Sequence, residues 1–195
     1  MTQVMSYRSH ARAAVALGVP LIGSHVAQFA ISLTDAVMLG WYDVEALAGE
    51  VLGGMLFFVM FMLLSGFAIA VMPMVARAEA SGDQTQVRRV TRMSMWLSVI
   101  FAVLFLPVLI FSESLFLAVG QEPQVALLGG KYLAIAGWGI IPALLVMVLK
   151  SYLSALEQAG VVLWVTVGAV VVNVLVNYAL IFGNWGAPEL GIEGA

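Results

Sequence analysis

The chain has 195 residues, of which 63% are hydrophobic and only 10% charged, with a formal net charge of -3 and a mean hydropathy of +1.05. Soluble domains are roughly 45–50% apolar and about 25% charged, so no soluble fold of this size could hide the excess, and nucleic-acid binding has no support. Cys is absent and His occurs twice, which excludes disulfides, thiolate metal sites, Cys nucleophiles and most His-based metal centres.

Met1 to Arg12 is short and polar. The apolar run behind it is far longer than the roughly 7–15 residues of a signal-peptide core, so it reads as a retained first helix. Five apolar stretches follow one another at about residues 13–39, 51–76, 93–111, 125–149 and 161–182, each near the roughly 20 residues that a spanning helix needs. Polar or turn-rich breaks at 40–50, 77–92, 112–123, 150–160 and 183–189 separate them. Such short connections make neighbouring helices antiparallel. The expected fold is all-α, a polytopic membrane helix bundle forming one membrane domain over residues 1–195.

In the first span, Asp35 is the acidic residue inside an otherwise apolar stretch, about one turn from its end. A carboxylate at the bilayer centre costs roughly 2.5–3.5 kcal/mol on insertion scales and usually faces a cavity or a partner. Near the interface the cost is smaller, and the alternative is a helix-end group reaching up to water. At ~100° per residue, Gln28 and Ser24 fall within about 20° of Asp35, while Ser32 and His25 flank the same stripe. Ile22, Phe29 and Leu33 point elsewhere. Ser24, Gln28, Ser32 and Asp35 are therefore expected to line a cavity, the alternative being that Ser and Gln bond neighbouring helices. Pro20 permits a kink, and His25 reads as a packed, hydrogen-bonded residue.

Glu50, at the start of the second span, reads as solvated at the interface. Arg77, Arg88, Arg89 and Arg92 fill the second break, expected as a partly helical loop meeting anionic lipid. Lys150 and Glu157 read as boundary residues. In the fifth span Asn173 and Asn177 are four apart and share one helical face, and with a rise of ~1.5 Å per residue they reach the depth of Asp35. One carboxylate plus amide carbonyls is a hard-oxygen set suited to Na⁺, with Asp35 and Asn177 as the expected ligands, and a carboxylate in a low-dielectric pocket also suits H⁺. An Asn pair that only bonds neighbouring helices is the alternative. The Gly-rich stretch ending at Ala195 reads as the beginning of a sixth helix, as in a truncated protein.

Seven of the eight basic residues fall on one side of these spans, the other side holding Lys131, so the amino terminus is expected in the cytoplasm. Trp41, Tyr42 and Trp185 then fall at external helix ends, where amphipathic rings favour the headgroup layer. There is no G-x-S-x-G elbow, no H-E-x-x-H, no P-loop and no paired intramembrane aspartate. An enzyme is not expected, nor a bound cofactor.

Residues 28–40, QFAISLTDAVMLG, resemble the first-helix motif of the MATE multidrug and toxin exporters, a Gln followed by an Asp-x-x-Met-x-Gly ending. Residues 173–194, NVLVNYALIFGNWGAPELGIEG, are similar to the end of the fifth helix and the loop into the sixth in the NorM-like branch of that family. Pro73 within residues 71–76, and the loop entry around Lys150, look like the family's second and fourth helix ends. The resemblance covers the whole chain. It implies a twelve-helix fold of two six-helix lobes, of which this chain matches the amino-terminal one, exchanging Na⁺ or H⁺ for organic cations or drugs across a bacterial inner membrane. On the family's pattern Asp35 is the cation-linked carboxylate and Asn173 and Asn177 complete its pocket, with Gln28 nearby. A related branch carries Asp where Asn177 stands, and that departure leans the expectation towards Na⁺. The carboxy-terminal lobe is the expected missing partner, and the chain alone is expected to be inactive.

Two other readings remain open. A lipid-linked oligosaccharide flippase of the same wider superfamily would call for basic residues in its cavity, and the spans as read carry none in their interior. A non-transporting membrane scaffold or gene fragment would need no second lobe.

Overall fold

The computed structural model describes residues 7–194; residues 1–6 of the polar amino-terminal segment and Ala195 lie outside the described residues. Eight α-helices occur among them: α1 (Tyr7–Tyr42), α2 (Val44–Leu64), α3 (Gly66–Ala80), α4 (Gln84–Ile110), α5 (Ser112–Ala118), α6 (Pro123–Ala136), α7 (Ile140–Ala155) and α8 (Ala159–Phe182). Five lengths are long and apolar enough to cross a membrane: Gly18–Tyr42, Val44–Ala80, Gln84–Ile110, Pro123–Ala155 and Ala159–Phe182. The molecule is a multi-pass membrane helix bundle.

The helices run further than the apolar stretches, for local reasons. Asp43 is extended and its carboxylate accepts the Ala46 N–H at 3.0 Å, an N-cap that satisfies one of the orphan donors of a helix start. The second span therefore begins at Val44 rather than at residue 51, and Glu50 rides almost two turns inside it. Asp83 does the same for α4, accepting the Gln86 N–H at 2.9 Å. The break expected at 77–92 shrinks to residues 81–83, and Arg77 and Arg88, Arg89 and Arg92 become helical. The fourth span likewise runs to Ala155, which carries Lys150 into α7. Gly183, at φ +66°, closes α8 in the left-handed region that glycine adopts without strain.

α1 lies along α8 for much of its length, while α2 and α3, α4, and α6 and α7 pack as a three-span bundle joined to that pair through α1–α2 and α7–α8 contacts. The bundle is centred on Leu64, Ala102, Leu109, Leu133, Ile140 and Leu144 and on Val71, Val75, Val90 and Val148. Small residues set the closest approach: a Cβ on Gly49 would meet Leu128 Cβ at 2.6 Å, and one on Gly53 would meet the Tyr132 ring at 2.7 Å. α1 and α8 run parallel. Gly23 faces Leu163, Leu39 clusters with Ile181, and the Tyr42 ring meets Phe182 edge-on at 6.3 Å. Beyond α8 the chain turns back, with the Leu190 N–H donating to Leu180 O at 2.8 Å. Ile192, in the 3-10 turn Gly191–Gly194, then packs against Leu39, Ala46 and Ile181.

Val19, Ile22, Val26, Phe29 and Leu33 are all exposed along one flank of α1. At ~100° per residue, Val26 and Leu33 lie about 160–180° away from Asp35. Helix α1 therefore turns an apolar flank outward and sets its carboxylate on the opposite side, against α8.

Candidate functional site

Asp35 sits where the parallel register of α1 and α8 brings it level with the two asparagines. The Asn173 side-chain amide donates to Asp35 Oδ1 at 3.1 Å, and the Asn177 amide donates to the same oxygen. Asn177 is buried, at 3% exposure, whereas Asn173 and Asp35 are half-buried. An ionised carboxylate only accepts hydrogen bonds, and both partners present N–H groups to it, so charge is held by neutral dipoles rather than by an ion pair. The Asn173 Oδ1 is buried with no partner. A buried carbonyl oxygen left unbonded is costly, and it is an acceptor available to a proton or a small cation beside Asp35.

The remaining stripe divides. Ser24 is buried, but its hydroxyl donates back to Leu21 O at 2.8 Å, a local bond that leaves its lone pairs as the only part free for a cavity. Ser32 is exposed. Gln28 takes a partner that the sequence did not name: its Oε1 accepts from Lys150 Nζ at 2.8 Å. The face of α1 is the expected one, yet Gln28 joins a cation on α7 and does not bond the Asp35 cluster. Lys150 is thereby corrected from a residue of the fourth break to one within the helical length Pro123–Ala155, reaching across to α1.

Glu50 is the second correction. It is half-buried on α2, and its Oε1 lies over Gly54. Its sequence position beside a polar break suggested solvent. The Asp43 cap is the signal that would have placed it inside a helix, since an Asp three residues before a backbone donor of an apolar run marks a helix start. Among the described residues no group of three or more His, Cys, Asp or Glu could hold a metal ion. A cation at Asp35 would be completed by neutral oxygens, for which the side-chain amides beside it are candidates.

Against known proteins, the MatE family profile matches residues 20–179. The chain is 50% identical over 190 residues to a protein of Rhizobium meliloti (strain 1021) named "Probable multidrug resistance protein NorM", covering 97% of this chain and 41% of that protein. It is 46% identical over 190 residues to one of the same name in Agrobacterium fabrum, again covering 97% and 41%. A solved structure, described as the outward-facing conformation of a multidrug resistance MATE family transporter of the MOP superfamily, superposes with a TM-score of 0.83 at 21% identity, covering 94% of this chain and 40% of that one. The chain thus spans about 41% of the length of these curated relatives. The matched segment contains Asp35, Asn173 and Asn177 together, and by it the chain belongs to the MatE family, as the amino-terminal portion of that fold.

Proposed function

We propose that this chain is the ion-coupling lobe of a secondary transporter that exports organic cations or drugs in exchange for Na⁺ or H⁺, and that Asp35 is its coupling carboxylate. The observation that carries this reading is a carboxylate inside a membrane span whose hydrogen-bond partners are both neutral amides. A bare charge in such a setting is costly, and H⁺ or Na⁺ relieves it. Neutralisation then favours a different helix arrangement from the charged state, and an ion drives transport through that difference in affinity. For H⁺ the acceptor is Asp35 itself. For Na⁺ the amides of Asn173 and Asn177 turn so that their oxygens join the carboxylate, with the unbonded Asn173 Oδ1 as the nearest candidate. Ser24, Gln28 and Ser32 extend the polar face along α1. The relatives' names, as multidrug resistance proteins, favour drugs as cargo.

The same reading puts the protein in a bacterial inner membrane with its amino terminus in the cytoplasm, on the basis of the Arg-rich end formed by Arg77, Arg88, Arg89 and Arg92. A carboxy-terminal lobe completes it. The test is ion-driven drug efflux from proteoliposomes that hold equal amounts of the whole transporter, as wild type or with Asp35→Asn, under Na⁺ and H⁺ gradients applied separately. Asp35→Asn is expected to abolish gradient-driven efflux while the protein remains folded and inserted. Wild-type efflux from the variant would reduce Asp35 to a helix-end residue.

A further inference from the structure

The arginines at the start of α4 take no part in the site around Asp35. Their nearest acidic neighbours along the chain are committed elsewhere: Asp83 caps α4 through the Gln86 N–H at 2.9 Å, and Glu79 accepts from the Gln84 side chain at 2.7 Å. At ~100° per residue, Arg88, Arg89, Arg92, Trp96, Ile100 and Val103 fall within about 120° of one another around α4, and each is exposed. The opposite face, with Val87, Val90, Ser94 and Ser98, is buried where α4 packs on α3 and α7.

Along the exposed face the chemistry changes in one direction. Trp96 lies ~6 Å beyond Arg92 along the axis and Val103 ~17 Å beyond it, so the face passes from guanidinium to indole to aliphatic side chain. That is the order of headgroup, interface and acyl chain in a leaflet, with the amphipathic indole at the level that Trp favours. Side chains lean toward the N-terminus of their helix, so the guanidiniums are aimed out of the hydrocarbon, toward the start of α4. Two open grooves of about 460 and 270 Å³ flank them, and Arg88 and Arg92 line both. Arg89, Thr85 and Trp96 belong to the first. The second adds Thr91, Met95 and, from α7, Tyr152. The Thr91 hydroxyl already donates to Val87 O at 2.9 Å, which leaves the Tyr152 phenol as the donor that the second groove brings.

We propose that the start of α4, with Tyr152 of α7, is a binding site for cardiolipin, the membrane phospholipid that carries two phosphates on one bridging glycerol. Arginine forks bind phosphate oxygens in pairs, and basic pockets between membrane helices suit this headgroup. A lipid with one phosphate fills one groove, whereas two linked phosphates fill both sides of Arg88 and Arg92 while the acyl chains follow Trp96, Ile100 and Val103. The site rests on the membrane-spanning fold and stands apart from the coupling role of Asp35.

Equilibrium binding of tetraoleoyl cardiolipin and of dioleoyl phosphatidylglycerol to the delipidated, purified whole transporter is measured by native mass spectrometry. Wild type should prefer cardiolipin. Arg88→Gln combined with Arg92→Gln should weaken cardiolipin by roughly tenfold or more and phosphatidylglycerol by less than about threefold. A control pair, Arg12→Gln with Arg77→Gln, removes the same charge away from the grooves and should change cardiolipin by less than about threefold. Should the glutamine pair not yield monodisperse protein, Arg88→Lys with Arg92→Lys keeps the charge, loses the forks and should still weaken cardiolipin by about threefold or more. Equal losses in the two glutamine pairs would reduce the arginines to a diffuse attraction and overturn the proposal. A wild type with no preference for cardiolipin would do the same, as would displacement of the lipid by inorganic phosphate, which would assign the grooves to a soluble anion.

Discussion

At the scale of single residues, Asp35 and Asn177 depend on each other in a way that can be measured apart from transport. Asn177 is buried and spends an N–H on Asp35 Oδ1, and a hydrogen bond to a charged group contributes about 1.5–3 kcal/mol. Asn177→Ala should therefore destabilise the protein by roughly that amount, and more than Asn173→Ala, because Asn173 is less buried. In an Asp35→Leu background the acceptor is gone and the Asn177 amide becomes the unsatisfied group, so the same substitution should turn neutral or stabilising. Unfolding in mixed detergent micelles reads the double-mutant cycle, and additive effects would show that the bond contributes nothing. The asparagines and Asp35 were legible in the sequence because polar groups stand out against Val, Leu and Ala, and helical periodicity fixes their face. Glu50 and Lys150 were misread because their surroundings depend on depth. Depth depends on where helices begin and end, which for Glu50 is decided by one cap, Asp43.

At the scale of elements, the spans themselves were readable from hydropathy, but their ends were not. An apolar run stops at the first polar residues, whereas a helix continues for as long as its backbone bonds and caps are satisfied. Residues 44–50 and 150–155 are helical yet polar enough to look like connections. The packing of these elements was less legible still, since it turns on where small residues let backbones approach. Gly49 on α2 leaves no room for a Cβ: Leu128 Cβ would lie 2.6 Å away and the Gly129 backbone nitrogen 3.1 Å away. Neither can move without shifting α6, so Gly49→Ala should cost about 1–3 kcal/mol as overpacking. Gly54, on the same helix, would put its Cβ no nearer than 3.5 Å to the flexible Glu50 carboxylate. Gly54→Ala should be neutral or stabilising by up to about 1 kcal/mol, since Ala is the better helix former. Thermal denaturation of both variants in the same detergent checks the contrast, and equal melting temperatures would show that α2 and α6 are not held at the distance the glycines set.

At the scale of the whole molecule, the lobe holds together by itself but presents groups that suit a further surface. Its spans share three buried clusters, so it has a core of its own. Yet the Asp35 face of α1 continues into the Lys150–Gln28 bridge, and lipid would reject a carboxylate and an ammonium that do not pair with each other. Alternating access in secondary transporters is largely one half rocking against another about a site near the midplane, and these residues span about 41% of their relatives' length. Expressed alone, the 195-residue chain should therefore insert as five spans and fail to export. Because it has no Cys, Ser81→Cys, in the turn between α3 and α4, gives a single reporter of insertion. A membrane-impermeant maleimide should label it from the cytoplasmic side only. Ethidium accumulation in cells making the chain alone should match that of cells lacking it, while cells making the chain continued by a carboxy-terminal lobe should accumulate less. Efflux by the correctly inserted chain alone would mean that one lobe, or a pair of identical lobes, completes the transport cycle without a second half of different sequence.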